Sequence, residues 1–589
     1  MKWNIKRHDV VLAVLAAVLA GLMVRHGLML HRCAGGQTDE AAQLARQVEA
    51  AAQGRRIVLP TPARPGDIYA RSRRSHVLLA GSRQTPSCFV DPKLIPHEDL
   101  GRVSAELAGA LDLDPGWVYR ELSLKKDRRF LWIARGISHQ QAQAVRELHH
   151  RAAGIQYEWR RDYPNGPLAG TVLGYCRRDG QPGCGLELKA HNLLAPTDGR
   201  RVLLGDAWRR PIWTDRDASV RPRDGQTLCL SLDVVIQGYL QEAVAKAVRD
   251  YGARWGTGVV VNPWTGDVLA MCSSPEFDPN EYSTTRPENM LNRAIACPFE
   301  PGSVFKPVIA AAAVDRGLMN YETRIDCENG VYNAYKGGRI SDHGQHYGLM
   351  SLAEILVKSS NIGMAKVGEK MGNRNLYKAL HRWGFGEKTG IPLPGESGGI
   401  VRPAARWDGY SLRRVPFGQE IAASSLQLAM AFSAFANGGL LMKPRLIEQT
   451  TDAKGQVAKT FPPSVVRRVL SEGTARRTLD VLGEVVRTGT GKKSQLDRWE
   501  SWGKTGTAQI PGPKGYIDDA YVGSFIGGAP LEHPAVVCLI SIYWPDRSKG
   551  YYGGTVAAPA FKEVLEKTLT YLHVPPDRPT GTFAARGCE

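Results

Sequence analysis

The chain reads as an α+β protein: a mainly antiparallel sheet with helices inserted between its strands, joined to a second region of mixed α and β character. Three observations lead there. Strand patterns at about residues 226–271 and 500–543 bracket a stretch from about Ser303 to Ala436 whose apolar spacing is helical. Strands at both ends of a region with helices between them imply a sheet closed by strands far apart in the chain. Residues 68–194 instead mix short strands with amphipathic helices.

The elements follow in order. Lys2, Lys6 and Arg7 precede an apolar run from Val10 to Val24, which Arg25 and His26 interrupt and Gly27-Leu28-Met29-Leu30 extends. Val10 to Leu30 is long enough to span a bilayer if Arg25 snorkels, and the basic flank places the N-terminus in the cytoplasm. Leu30-His31-Arg32-Cys33 is not a lipobox and no small-residue cleavage site follows, so an uncleaved signal anchor is expected, with a removed signal peptide as the alternative. The remainder is then extracytoplasmic. Thr38 or Asp39 caps a helix to about Ala52, and Pro60, Pro62 and Pro65 give an extended linker. Phe130–Ala134 reads as a strand and Ser138–Arg151 as a helix. Pro196–Arg223 is polar, irregular and turn-rich, a domain boundary. Thr227–Leu232 is a strand, Asp233 caps a helix running past Val248, and Gly258–Met271 is a strand, a glycine turn and a strand. A last helix follows Pro559. The expected regions are 1–33, cytoplasmic tip and anchor; 34–225, a non-catalytic domain and linker; 226–575, the catalytic domain; and 576–589, a tail.

The 589 residues suffice for two to four domains, and 43% hydrophobic with 23% charged residues is ordinary for globular protein. A net charge of +18 suits nucleic acid, an anionic membrane surface or an anionic polymer, and equally a generally basic surface. Zinc-finger spacing, a P-loop and aromatic-basic RNA motifs are missing, which argues against nucleic acid. The ten cysteines form no C-x-x-C pair, so neither a metal site nor a cofactor is implied. Cys176 and Cys184 flank a Gly-Gln-Pro-Gly turn and either pair or stay free.

Chemistry concentrates in three motifs. In Glu300-Pro301-Gly302-Ser303-Val304-Phe305-Lys306-Pro307, positions three apart share a helix face, so the Lys306 amine can take the Ser303 proton. That requires a neutral lysine, which burial or nearby positive charge provides. Pro301-Gly302 breaks the preceding element and Pro307 is tolerated only in a first turn, so Ser303 falls at the positive end of a helix. Ser359-Ser360-Asn361 follows a helical pattern; from a turn, a hydroxyl and an amide two apart can relay a proton and hold a carbonyl. Lys504-Thr505-Gly506-Thr507 lies in a strand from Trp502 to Ile510. A glycine there permits close approach of another backbone, an edge strand can accept a peptide, Lys504, Thr505 and Thr507 can hold its carboxylate, and the N–H groups of Ser303 and Thr507 can form an oxyanion hole. Each motif alone also fits a solvated helix face, turn chemistry or a solvated strand.

Together and in this order the motifs resemble those of the penicillin-recognising serine acyltransferases, specifically the class B penicillin-binding proteins. Asn292-Arg293-Ala294, Trp383-Gly384-Phe385-Gly386, Gly395-Glu396, Phe417-Gly418-Gln419 and Ala436-Asn437-Gly438-Gly439 extend the resemblance. So do Arg161-Asp162-Tyr163-Pro164 and Gly185-Leu186-Glu187 in the N-terminal region. Arg64-Pro65-Gly66-Asp67-Ile68-Tyr69 departs from the family's entry segment by the proline that splits Arg and Gly, and Ala70-Arg71 stands where Asp-Arg is usual. The resemblance implies an αβα sandwich transpeptidase domain on an elongated α+β pedestal of dimerisation type, with one transmembrane helix. It implies that Ser303, Lys306, Ser359, Asn361 and Lys504 are catalytic and that Ser360, Thr505, Gly506 and Thr507 bind substrate. Ser303 would attack a D-Ala-D-Ala donor stem peptide of peptidoglycan and pass the acyl group to an acceptor amine, and β-lactams would trap it. Partners would be the membrane, a separate membrane glycan polymerase and division or elongation proteins. No glycosyltransferase motif E-D-x-x-F-x-x-H-x-G is found. Tyr521–Pro530 and Tyr551–Pro559 are similar to the division-type members, with an elongation role as the alternative. A D,D-carboxypeptidase or β-lactamase would use the same triplet, and a penicillin sensor or idle scaffold is the non-enzymatic alternative.

Overall fold

The computed structural model describes residues 56–73, 75–205, 211–334, 338–342, 346–513 and 515–578. The expected anchor at 10–30, the helix to Ala52 and most of the 576–589 tail lie outside the described residues. Among the described residues no helix is long and apolar enough to cross a membrane. The chain separates into a small unit, with residues 196–223 and those before 64, and a large unit of residues 64–195 and 224–589.

In the small unit Arg56–Thr61, Gly199–Gly205 and Pro211–Val220 form a three-stranded antiparallel sheet. This corrects the reading of Pro60 as linker and of 196–223 as irregular. Pro60 sits on an edge strand, where its missing N–H breaks no ladder. Val202 and Leu203 are buried among arginines, too few apolar positions to show an alternation in sequence.

The large unit is centred on five strands: β1 (Trp255–Val261), β2 (Val268–Ser274), β3 (Trp502–Gly512), β4 (Gly515–Ala529) and β5 (Val536–Tyr543). Their order is β2–β1–β5–β4–β3, with each neighbouring pair antiparallel. Two-residue periodicity sends alternate side chains to opposite faces. Val259, Val261, Val537 and Leu539 enter one core, while Val260, Cys538 and Ile540 enter the other. Helices α1 (Val234–Asp250) and α7 (Ala558–Tyr571) cover the second face. Asp233 starts α1 as expected, accepting from the N–H groups of Val235 (2.9 Å) and Ile236 (3.2 Å). On the first face lie α2 (Lys306–Asp315), α3 (Leu352–Lys358), α4 (Asn361–Arg382, broken at Gly372), α5 (Ser425–Ala436) and α6 (Glu472–Arg487). Helices on both sides of one sheet make the expected sandwich.

A seven-stranded mixed sheet runs Val457–Thr460, Ile447–Thr451, Thr227–Asp233, Ile68–Ser72, Ser75–Val90 and Leu131–Ala134, with Ala153–Asp162 also paired to Ser75–Val90. Ile68–Ser72 is parallel to Thr227–Asp233, so strands from both sides of residue 225 share one sheet. Beside it Glu187 Oε1 accepts from Arg161 Nε (2.6 Å) and Tyr163 OH (3.2 Å), which binds the two N-terminal motifs together out of water. Cys176 and Cys184 are free thiols.

Candidate active site

The nucleophile motif begins as a 3₁₀ turn, Gly302–Phe305, before α2 starts at Lys306. In a 3₁₀ turn residues three apart eclipse, which keeps Ser303 and Lys306 on one side. Gly302 N donates to Gly418 O (3.0 Å), and a Cβ on Gly418 would meet Gly302 O at 2.1 Å. Phe417-Gly418-Gln419 is therefore the backing of the nucleophile turn. Ser303 lines a cleft of about 730 Å³. Among the described residues its hydroxyl has no hydrogen-bond partner, so Ser303 and Lys306 share one side of the turn without a hydrogen bond between them.

Lys306 is 0% exposed. Its Nζ donates to Ser359 O (2.5 Å) and Asn361 Oδ1 (2.8 Å) and stands 3.2 Å from Ser359 Oγ. Ser359 lies between α3 and α4 in the left-handed region, at φ +63°. This conformation, uncommon for a residue with a Cβ, turns both its carbonyl and its hydroxyl toward Lys306. Ser360 begins α4: its Oγ accepts from Gly363 N (3.0 Å) and donates to Asp342 Oδ2 (2.7 Å). Asp342 Oδ1 accepts from Asn361 N (2.5 Å) and Ile362 N (3.2 Å). One carboxylate thus satisfies two of the orphan N–H groups of α4 and fixes the Ser359-Ser360-Asn361 turn. Ser360 faces this support and not the cleft.

β3 is the sheet edge, bonded only to β4. A Cβ on Gly506 would lie 2.6 Å from Ser524 Oγ, 2.9 Å from Val304 Cγ1 and 3.0 Å from Pro301 O. The close approach expected of this glycine is to the nucleophile turn itself. Lys504 is 0% exposed and its Nζ donates to Ser359 Oγ (2.9 Å), so it points at the hydroxyl relay rather than into the open cleft. Thr505 and Thr507 line the cleft. Thr505 Oγ1 hydrogen-bonds Thr490 Oγ1 (2.7 Å), and Thr507 Oγ1 accepts from Gly553 N (3.1 Å).

The three motifs therefore converge on Ser359 Oγ, which two buried amines approach at once. Burial, then the charge of Lys504, holds the Lys306 amine well below the usual lysine range, against the opposing pull of Asp342 and Cys327. Burial brings Lys504 down to about 7. A neutral Lys306 has two N–H groups, which Ser359 O and Asn361 Oδ1 take, and one lone pair free for a hydroxyl proton. The arrangement can activate a serine and return its proton through a second hydroxyl. Asp342 and Thr490 escaped the sequence reading. Asp342 stands 18 positions before Ser360 with no local pattern linking them, while Thr490 lies in a Thr-Gly-Thr-Gly run whose only local signal is a turn.

The chain is similar to known proteins over most of its length. The profile of the penicillin binding protein transpeptidase domain matches residues 256–566, and that of the penicillin-binding protein dimerisation domain matches residues 60–230. The probable peptidoglycan D,D-transpeptidase PenA of Neisseria meningitidis is 30% identical over 98% of this chain and 95% of its own length. Stage V sporulation protein D of Bacillus subtilis is 30% identical over 85% of this chain and 78% of its own length. The crystal structure of penicillin binding protein 3 from Mycobacterium tuberculosis in complex with ampicillin superposes with a TM-score of 0.68 at 27% identity, covering 89% of this chain and 98% of that one.

Proposed function

The chain belongs to the penicillin-binding protein transpeptidases and is a peptidoglycan D,D-transpeptidase; on that premise we propose that it works through an acyl group carried on Ser303. Lys306 takes the Ser303 proton as Oγ attacks the penultimate D-Ala carbonyl of a donor stem peptide lying along β3. The backbone N–H groups of Ser303 and Thr507 hold the oxygen that becomes negative. As the C–N bond breaks, the proton passes through Lys306 and Ser359 Oγ to the departing D-Ala amine. An acceptor amine then attacks the Ser303 ester, and its proton returns by the same route to Ser303 Oγ. Thr505 and Thr507 hold the donor's terminal carboxylate, with the Lys504 charge behind them, and Asn361 orients the donor amide. A β-lactam occupies the donor's place and leaves a slowly hydrolysed adduct. The observation that carries this reading is the position of Ser359 Oγ, within 3.2 Å of both buried amines.

A hydrolase needs a group that activates water. Among the described residues lining the cleft the only carboxylate is Asp342, whose oxygens already accept three hydrogen bonds. Water and an acceptor amine would therefore both rely on Lys306 and Ser359, and the amine is preferred from the transpeptidase family to which the chain belongs. The test is labelling of the full-length chain with a fluorescent penicillin. A stable adduct lost in Ser303→Ala is expected; rapid turnover of the label would indicate a β-lactamase, and absence of label a scaffold.

The enzyme is further proposed to be anchored by residues 10–30 in the cytoplasmic membrane, with its catalytic unit outside, and to work at the septum beside a membrane glycan polymerase. The basic flank of the apolar run and the division-type segments at Tyr521–Pro530 and Tyr551–Pro559 support this. Depletion should give filaments; rounded cells would place the enzyme in elongation instead.

A further inference from the structure

The described residues are rich in ion pairs away from the cleft. Arg71, Arg161, Arg402, Arg413 and Arg445 all meet carboxylates. Of the five cations on the cleft wall none makes an ion pair among the described residues, and one of them, Arg414, hydrogen-bonds Gln419 Oε1 (3.3 Å). The side chains of Arg339, Lys358, Lys492 and Lys493 are exposed, line the same cleft as Ser303, and make no ion pair or hydrogen bond among the described residues, although the charge of Lys358 reaches Glu354. They come from three separate elements: the strand Gly338–Ser341, the end of α3 and the 3₁₀ turn Lys492–Ser494 after α6. The one acid on the wall, Asp342, is spent on the start of α4. The cleft wall therefore carries a net positive charge, five cations against one carboxylate. Between low-dielectric walls such charge concentrates an anionic ligand and orients it.

The donor's terminal carboxylate is assigned above to Thr505 and Thr507, which leaves the exposed cations of the same cleft for a second anion. We propose that Lys358, Lys492 and Lys493, with Arg339, form a specificity site for a second carboxylate of the donor, so that the enzyme selects an acidic stem peptide over its carboxamide form. The inference rests on the transpeptidase reading and names which donor that reading requires. Each exposed charge pair of this kind is worth a factor of about two to five, so three acting together separate the two peptides by roughly tenfold or more.

The test needs no turnover. Two synthetic peptides ending in D-Ala-D-Ala, one with a free internal carboxylate and one with that group as carboxamide, compete with fluorescent-penicillin labelling of the full-length chain. The acid peptide should slow labelling at roughly tenfold lower concentration. The gap should close in the Lys358→Gln, Lys492→Gln, Lys493→Gln variant, and narrow in the native protein as salt is raised. Comparing two peptides within one variant cancels any change in labelling rate itself. Peptides that protect equally, or neither of which protects while labelling stays normal, overturn the specificity site and leave the transpeptidase reading standing. A native chain that takes no label overturns both.

Discussion

Replacing Lys504 by Met should make the protein more stable and inactive, and the gain should depend on pH. Met has nearly the same volume and no charge. Bringing a buried lysine from 10.5 to about 7, at about 1.4 kcal/mol per pH unit, means that keeping it charged in the fold costs about 5 kcal/mol. Loss of the hydrogen bond to Ser359 Oγ offsets about 1–2 kcal/mol, which leaves a net gain of about 3–4 kcal/mol. In a chain of this size that is roughly 2–4 °C in Tm. The folded value lies below the unfolded one, so between about pH 7 and 10.5 the unfolded chain binds more protons and native stability rises with pH. The Met variant lacks this term. Its advantage is therefore full at and below about pH 7 and gone by about pH 9.5. Thermal melts of native and Lys504→Met full-length chain from about pH 6 to 9.5 measure it, with penicillin labelling lost throughout. A variant that melts below the native protein at about pH 6.5, or by a constant difference at every pH, would refute the reasoning.

Asp342→Asn keeps the shape of the cap on α4 but removes its charge. It should cost about 1–2 kcal/mol and slow penicillin acylation about tenfold by loosening Ser359 and Asn361; melts and stopped-flow labelling read the two effects, and an unchanged labelling rate would deny Asp342 its part in the turn. Gly506→Ala places a methyl against Val304, Ser524 and Pro301 O, which should cost about 1–3 kcal/mol and displace the nucleophile turn. Wild-type stability and labelling in that variant would show that the turn yields freely.

The catalytic half was legible because its chemistry is written in short motifs on elements with strong local signals. Asp233 before an amphipathic run, the unbroken valines of β1 and Pro307 behind Lys306 each fix a local structure whatever surrounds them. What the sequence did not disclose depends on contacts made across the chain. Val202 and Leu203 lie among arginines and look like a loop until Arg56–Thr61 pairs with them. Lys504 looked like a clamp for substrate, because nothing local tells whether a lysine on an edge strand points outward or beneath the neighbouring turn. Asp342 reaches α4 only because the hairpin from Val331 to Ser341 returns the chain to Ser360.

The seven-stranded sheet also fixes when the protein can finish folding. Ile68 lies against Leu228, and Leu230 against Ile447, so the middle strand of that sheet has no second neighbour until the ribosome has released residues near 450. Closing loops of this length is slow, since the entropy is lost before the pairing that repays it forms. Until then Thr227–Asp233 presents a bare strand edge, the kind of surface on which nascent chains most readily associate with one another. The N-terminal half of this enzyme is made first and completed among the last, and its safe passage to the native state depends on how short a time that edge stays bare.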